Sequence, residues 1–172
     1  MAKLSIIKYP HPFLKLKADF VKIEAINSNL CQVIENMFEI MYSSDGIGLA
    51  ATQVGLNMRL FIMDVSEKKN QKIMAINPEI IERKGQVNEE EGCLSFPGVS
   101  AKVKRAEWVK FHALNAFGQT YEMECDGYLS RCIQHEIDHL DGVTYFDYLS
   151  PLKRKIIEKK YKKIMQENAN DL

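Results

Sequence analysis

The five residues His135-Glu136-Ile137-Asp138-His139 set two imidazoles four positions apart, with a carboxylate directly after the first. On a helix of about 3.6 residues per turn, positions 135 and 139 project from one face and can grip one metal ion, the H-E-x-x-H pattern of metal-dependent hydrolysis. Glu136 then stands beside the ion, where its carboxylate can take a proton from a bound water rather than ligate. The pattern therefore proposes an activated hydroxide and leaves open the bond that it attacks. Cys132, Ile133, Ile137 and Leu140 surround the motif with apolar residues, so its helix is expected to be buried and its polar face to need partners.

Two imidazoles do not complete a metal site. No histidine follows His139, so the zincin and metzincin patterns lack a downstream histidine. Asp141 fits a helix stop, and Asp147 and Glu158 fit a solvated surface better than a ligand shell. Upstream, Glu90-Glu91-Gly92-Cys93-Leu94-Ser95-Phe96-Pro97-Gly98 holds a cysteine between a glycine and a turn signal. A thiolate with two imidazoles leaves one tetrahedral position for water, which makes Cys93, His135 and His139 a sensible catalytic set. On this stretch alone Cys93 reads equally well as a buried structural cysteine. A third stretch, Gly46-Ile47-Gly48-Leu49-Ala50-Ala51-Thr52-Gln53-Val54-Gly55, has the small residues of a dinucleotide loop. Such a loop should follow a strand and open a helix, and this one does the reverse. It reads better as a segment of close backbone approach in which Gln53 offers its amide to an oxyanion, the bland alternative being a tight turn.

The elements that must position these residues are legible from periodicity. Leu30, Val33, Ile34, Met37, Phe38 and Met41 predict an amphipathic helix over 27–44, capped by Asn27 or Ser28. Arg59 to Val65 reads as a buried strand, followed by strand candidates at 73–76, 80–87, 99–113 and 120–125, with turn signals at Asn77-Pro78, Pro97-Gly98 and Phe117-Gly118. Asp126 is expected to cap the motif helix and Asp141-Gly142 to stop it. Ser150-Pro151 opens a lysine-rich last helix with Leu152, Ile156, Tyr161 and Ile164 on helical spacing. The order predicts an α+β fold and one domain over 1–172: an N-terminal helix, antiparallel or mixed sheets, a central H-E-x-x-H helix packed against them, and a basic C-terminal helix over 150–167.

Composition narrows the class. At 172 residues the chain suits one well-buried core, and 46% hydrophobic with 27% charged residues is the balance of a globular protein. Twenty-three basic residues against 23 acidic argue against a nucleic-acid footprint over the whole surface. The opening residues lack a secretory pattern and no stretch is apolar enough to span a bilayer, so a cytoplasmic protein is expected, organellar only if a transit peptide has been removed. Four cysteines without a C-x-x-C pair make no disulfide scaffold, and Cys31, Cys125 and Cys132 read as buried small hydrophobes. His11 and His112 read as ordinary structural residues, and Trp108 as a packing or surface residue of a strand.

With the three stretches Gly46–Gln53, Glu91–Ser95 and Gln134–His139 in order, the chain resembles the peptide deformylases, a likeness that extends to Tyr148-Leu149-Ser150-Pro151-Leu152-Lys153. The resemblance implies removal of the formyl group from the N-terminal formylmethionine of new polypeptides. It implies Cys93, His135 and His139 as metal ligands, Glu136 as general base, and Gln53 with the Leu94 backbone N–H as oxyanion donors. It places Ile47, Tyr128 and Cys132 in the methionine pocket and pairs the Gly48 and Gly92 backbones with the substrate peptide. Ferrous iron is the implied metal in the cell, with zinc, nickel or cobalt in purified protein. Some relatives grip the peptide with an arginine where this chain has Ser100, and Arg105 is expected to brace Glu91. Some also dock a C-terminal helix on the ribosome, a role open to the basic helix here, with no membrane and no sequence-specific nucleic acid among the partners. The alternatives are a metallopeptidase of other specificity and a noncatalytic metal-binding relative.

Overall fold

Apolar side chains at Leu30, Ile34, Met37, Phe38 and Met41 give helix α1, Ser28–Ser43, one buried face. Asn27 caps it, its side-chain oxygen accepting from the N–H groups of Asn29 at 3.0 Å and Leu30 at 3.3 Å, donors that have no partner within the helix. The computed structural model describes residues 4–170, so Met1-Ala2-Lys3 and the last two residues of the expected 1–172 domain lie outside the described residues.

Strands β1 (Gly48–Ala50), β2 (Leu60–Met63) and β3 (Ile73–Lys84) follow, then β4 (Val87–Gly92), β5 (Ser100–Arg105), β6 (Trp108–Leu114) and β7 (Thr120–Asp126). One sheet has the order β1-β2-β3-β6-β7, and β4 pairs with β5 in a second sheet of two strands. Every pairing between these strands is antiparallel. Among the described residues β1 ends one sheet and β4 pairs only with β5, so each presents an unpaired edge.

Helix α2, Gly127–Leu140, carries the H-E-x-x-H motif and lies on the larger sheet, where Ile133, Ile137 and Leu140 are buried with Phe61, Met63, Val109 and Phe111. Fully burying one such side chain contributes about 1.5–3 kcal/mol, so this stripe decides which face of α2 turns inward. Gln134 fixes the rotation more finely. Its amide oxygen accepts from the Ala106 N–H at 3.0 Å and its amide nitrogen donates to the Ala106 carbonyl at 2.9 Å, pinning α2 to the corner between β5 and β6. The helix stops at Asp141, with Gly142 left-handed at φ 71°. A third apolar cluster of Phe96, Val103, Tyr145, Phe146 and Tyr161 joins helix α3, Pro151–Asn170, to the loop that follows β4.

Several boundaries differ from the sequence expectations. The 99–113 stretch is two strands in different sheets, because the chain turns at Ala106-Glu107. Residues 73–84 are one strand across Asn77-Pro78, which the sheet absorbs as a register shift with Asn77 at φ 53°. β1 and most of β4 were not anticipated. Asp126 occupies the cap position of α2 but its side chain makes no capping bond. Cys31 is half-buried rather than buried. On α3, Tyr161 packs inward, while Leu152 and Ile156 face solvent at 70% and 60% exposure, so they do not share its buried face.

Candidate metal centre

The turn between α1 and β1, the loop after β4 and the last two turns of α2 meet at one point. There the Cys93 sulfur and one ring nitrogen each from His135 and His139 lie within 4.8 Å of one another. Cys93 Sγ is 3.2 Å from His139 Nε2, which is itself 3.2 Å from His135 Nε2. His135 is 9% exposed and His139 1%. Burying three such groups face to face is costly unless something satisfies their lone pairs. A thiolate and two imidazoles converging at this range have the donor chemistry of a divalent transition-metal site, and the residues fit a metal ion.

Each ligand is held from behind. Glu91 on β4 accepts from His135 Nδ1 at 3.0 Å, which keeps a proton on Nδ1 and aims Nε2 at the centre as the atom that would ligate. Glu91 is in turn gripped by the Arg105 guanidinium through Nε at 2.7 Å and Nη2 at 3.0 Å, while Nη1 reaches Asp138 at 2.5 Å. Burial alone would raise the Glu91 carboxyl, but hydrogen bonds from His135 and Arg105 outweigh it and hold its pKa at about 2. The Thr52 hydroxyl donates to the His139 carbonyl at 3.1 Å. Burial and then the neighbouring His135 charge keep His139 well below its ordinary range, hence neutral and able to ligate.

Glu136 is 4% exposed, and among the described residues its Oε2 has no hydrogen-bond partner. Burial pushes its pKa up to about 7, so in the metal-free protein it titrates near neutrality, the range suited to a general base. Its other oxygen rests against Gly48 so closely that a Cβ there would collide with it. Gln53 is aimed from both ends: its Oε1 accepts from the Ala50 N–H at 2.9 Å, and its Nε2 donates to Ser95 Oγ at 3.1 Å and lies 3.4 Å from Cys93 Sγ.

Outside this cluster opens a cleft of about 960 Å³. Gln53, Cys93, Leu94, His135 and Glu136 line it together with Ile47, Gly48, Gly92, Tyr128 and Cys132, so the structure brings these sequence-singled residues to one cavity. His139 sits behind, reached through Cys93 and His135. Tyr128 is 51% exposed at the rim, whereas Cys132 is buried. Ser100 lines the cleft beside Glu90, to which its hydroxyl donates at 2.5 Å, so no cation stands at this position. Arg105 does brace Glu91. Gln134, Asp138, Thr52 and Ser95 escaped the sequence reading as supports. For Asp138 and Gln134 the signal was available: a buried helix with polar residues beside its ligands must find them partners.

The description of the matching family model is polypeptide deformylase, and it covers residues 3–155. A peptide deformylase of Tolumonas auensis is 49% identical over 164 residues, 95% of this chain and 97% of its own length. Among solved structures, a peptide deformylase from Legionella pneumophila superposes with TM-score 0.93 at 40% identity, with 98% of each chain covered. A peptide deformylase from Synechococcus elongatus in complex with actinonin gives TM-score 0.86 at 38% identity, over 93% of this chain and 90% of that one.

Proposed function

The chain belongs to the peptide deformylase family, and from that premise we propose how its cleft divides the work. It is a metal-dependent hydrolase that removes the N-formyl group from the N-terminal formylmethionine of new polypeptides and releases formate. The observation that carries the division of labour is the convergence of Cys93, His135 and His139 beside a buried carboxylate with an unpartnered oxygen.

In this reading Cys93, His135 and His139 hold the ion, which when bound lowers the pKa of a water and polarises the formyl oxygen. Glu136 takes the proton of the attacking water and returns it to the departing amine, a task suited to its burial and its free Oε2. Gln53 and the Leu94 N–H donate to the developing oxyanion, and the two anchors on the Gln53 amide support that role because a fixed donor needs no reorganisation. The methionine side chain enters beside Ile47, Tyr128 and Cys132, a buried thiol that suits a thioether. The peptide runs between the unpaired edges at Gly48 and Gly92 as an added strand.

The ion in the cell is proposed to be ferrous iron, since a mixed sulfur and nitrogen set accepts several divalent metals and availability decides among them. Anaerobic purification followed by metal analysis tests this; zinc alone, with full activity, would refute it. The whole chain acts as one deformylase-like domain in the cytoplasm, and among the described residues no helix is long and apolar enough to cross a membrane. α3 is proposed to dock on the ribosome through Lys155, Lys159, Lys160 and Lys163 with the exposed Leu152 and Ile156. Co-sedimentation at two salt concentrations checks it: binding should weaken with salt, and Lys155, Lys159 and Lys163 changed together to glutamate should abolish it.

A further inference from the structure

Arg131 lines the cleft without a task in the reaction described above. It stands on α2 next to Cys132 and one turn before His135, half-buried, with its guanidinium carbon 5.1 Å from the centre of the Tyr128 ring. The arginines elsewhere in the buried structure are taken up by carboxylates: Arg105 by Glu91 and Asp138, and Arg59 by Asp141. Among the described residues Arg131 joins no such pair. A cation half removed from water, stacked on an aromatic face and unpaired at the mouth of a peptide cleft is placed to meet an anion.

Strand alternation says where that anion would be. On β4, Glu91 turns toward α2, where it meets His135, and Glu90 turns to the opposite face, where it accepts from Ser100. A peptide added beside β4 has the same alternation, with side chains two apart on one face and about 7 Å apart along the strand. The methionine side chain takes the α2 face, at Cys132 and Tyr128. The second residue then faces Glu90 and Ser100, and the third returns to the α2 face, where Arg131 stands. The apolar stem of Arg131 can cover the methionine pocket while its charged end stays at the mouth.

We propose that Arg131 is a specificity-determining residue that favours an acidic side chain at the third position of the formylated chain. A planar guanidinium binds a carboxylate through two parallel hydrogen bonds, which a lysine at that position of the peptide would turn into repulsion. The inference rests on the deformylase reading and on the peptide binding as an added strand.

The test is kcat/KM for C-terminally amidated formyl-Met-Ala-Asp, formyl-Met-Ala-Asn and formyl-Met-Ala-Lys peptides, with formyl-Met-Asp-Ala as the positional control. The metal-loaded enzyme should favour Asp over Lys at the third residue by on the order of three- to tenfold, chiefly through KM, as expected for a partly solvated ion pair. The ratio should shrink toward one as salt rises from 50 to 500 mM. Arg131→Met keeps an apolar stem and should abolish the preference, Arg131→Glu should invert it, and aspartate at the second position should gain nothing from Arg131. An Asp to Lys ratio near one in the wild type, or one that Arg131→Met leaves in place, overturns the proposal. Because each outcome is a ratio between peptides, absence of formate from every peptide would strike the deformylase reading instead. Should Arg131→Met misfold, the wild-type ratio and its salt dependence still decide.

Discussion

Replacing Arg105 by alanine tests the bracing of the metal centre without touching a ligand. Arg105 is 4% exposed and its guanidinium makes three charge-assisted contacts, two to Glu91 and one to Asp138. Its removal leaves a buried carboxylate facing only His135, and breaking a buried pair in this way costs about 3–5 kcal/mol. The pH dependence has a definite sign. The folded Glu91 pKa is depressed from 4.5 to about 2, so its contribution is full above pH 4.5 and is lost as pH falls toward 2. That depression corresponds to on the order of 3 kcal/mol. Without Arg105 the carboxyl titrates higher, so the deficit of the variant should be full at pH 7 and shrink toward pH 3. Urea unfolding of the metal-free proteins at pH 7, 5 and 3 measures this, and metal titration should show affinity weakened by about 10- to 100-fold, since Glu91 orients His135. A deficit equally large at pH 3 and pH 7, or unchanged stability and metal affinity, would refute the reasoning. Arg105→Lys keeps the charge but loses the fork and should fall between.

Three further outcomes follow from the same geometry. Gly48→Ala brings a Cβ into the Glu136 carboxylate and should lower kcat by at least tenfold while metal content, measured by atomic absorption, is retained. Gln53→Ala removes one oxyanion donor and should lower kcat on the order of a hundredfold in a formate-release assay. In the metal-free protein the Glu136 pKa is raised from 4.5 to about 7, so its ionisation opposes folding as pH rises through that window. Metal-free Glu136→Gln should therefore be more stable than wild type at pH 8, by up to about 3 kcal/mol in urea unfolding, and should show little difference at pH 4.

Helix α1 was legible because burial on one face imposes a 3.6-residue period, whereas α2, buried without a break from Cys132 to Ile137, was legible from the spacing of its motif. The break between β5 and β6 was invisible for a specific reason. Ala101, Val103 and Arg105 are the buried residues of β5 and Val109, Phe111 and Ala113 those of β6, so the odd-numbered alternation continues across Ala106-Glu107 without a change of phase. β4 escaped because Val87-Asn88-Glu89-Glu90-Glu91 is mostly polar; it is a strand because it pairs with β5, and only Glu91 of that run is buried. For the site, Cys93 and the two histidines could be proposed from donor chemistry, yet their convergence from positions 42 or more apart is tertiary. The supports are harder to read, since whether Asp138 meets Arg105, or Ser100 meets Glu90, depends on the sheet register rather than on spacing.

The central claim is that Glu136 moves the proton for a water held at Cys93, His135 and His139, and that the bond broken is the formyl amide. Formate release from formyl-Met-Ala-Ser by wild type and Glu136→Gln, prepared with equal metal content, tests it most directly. Wild type should release one formate per peptide without cleaving casein. Glu136→Gln should keep its metal and lose about 10²- to 10⁴-fold in rate. Wild-type turnover in Glu136→Gln, or casein cleavage without formate, would contradict the account.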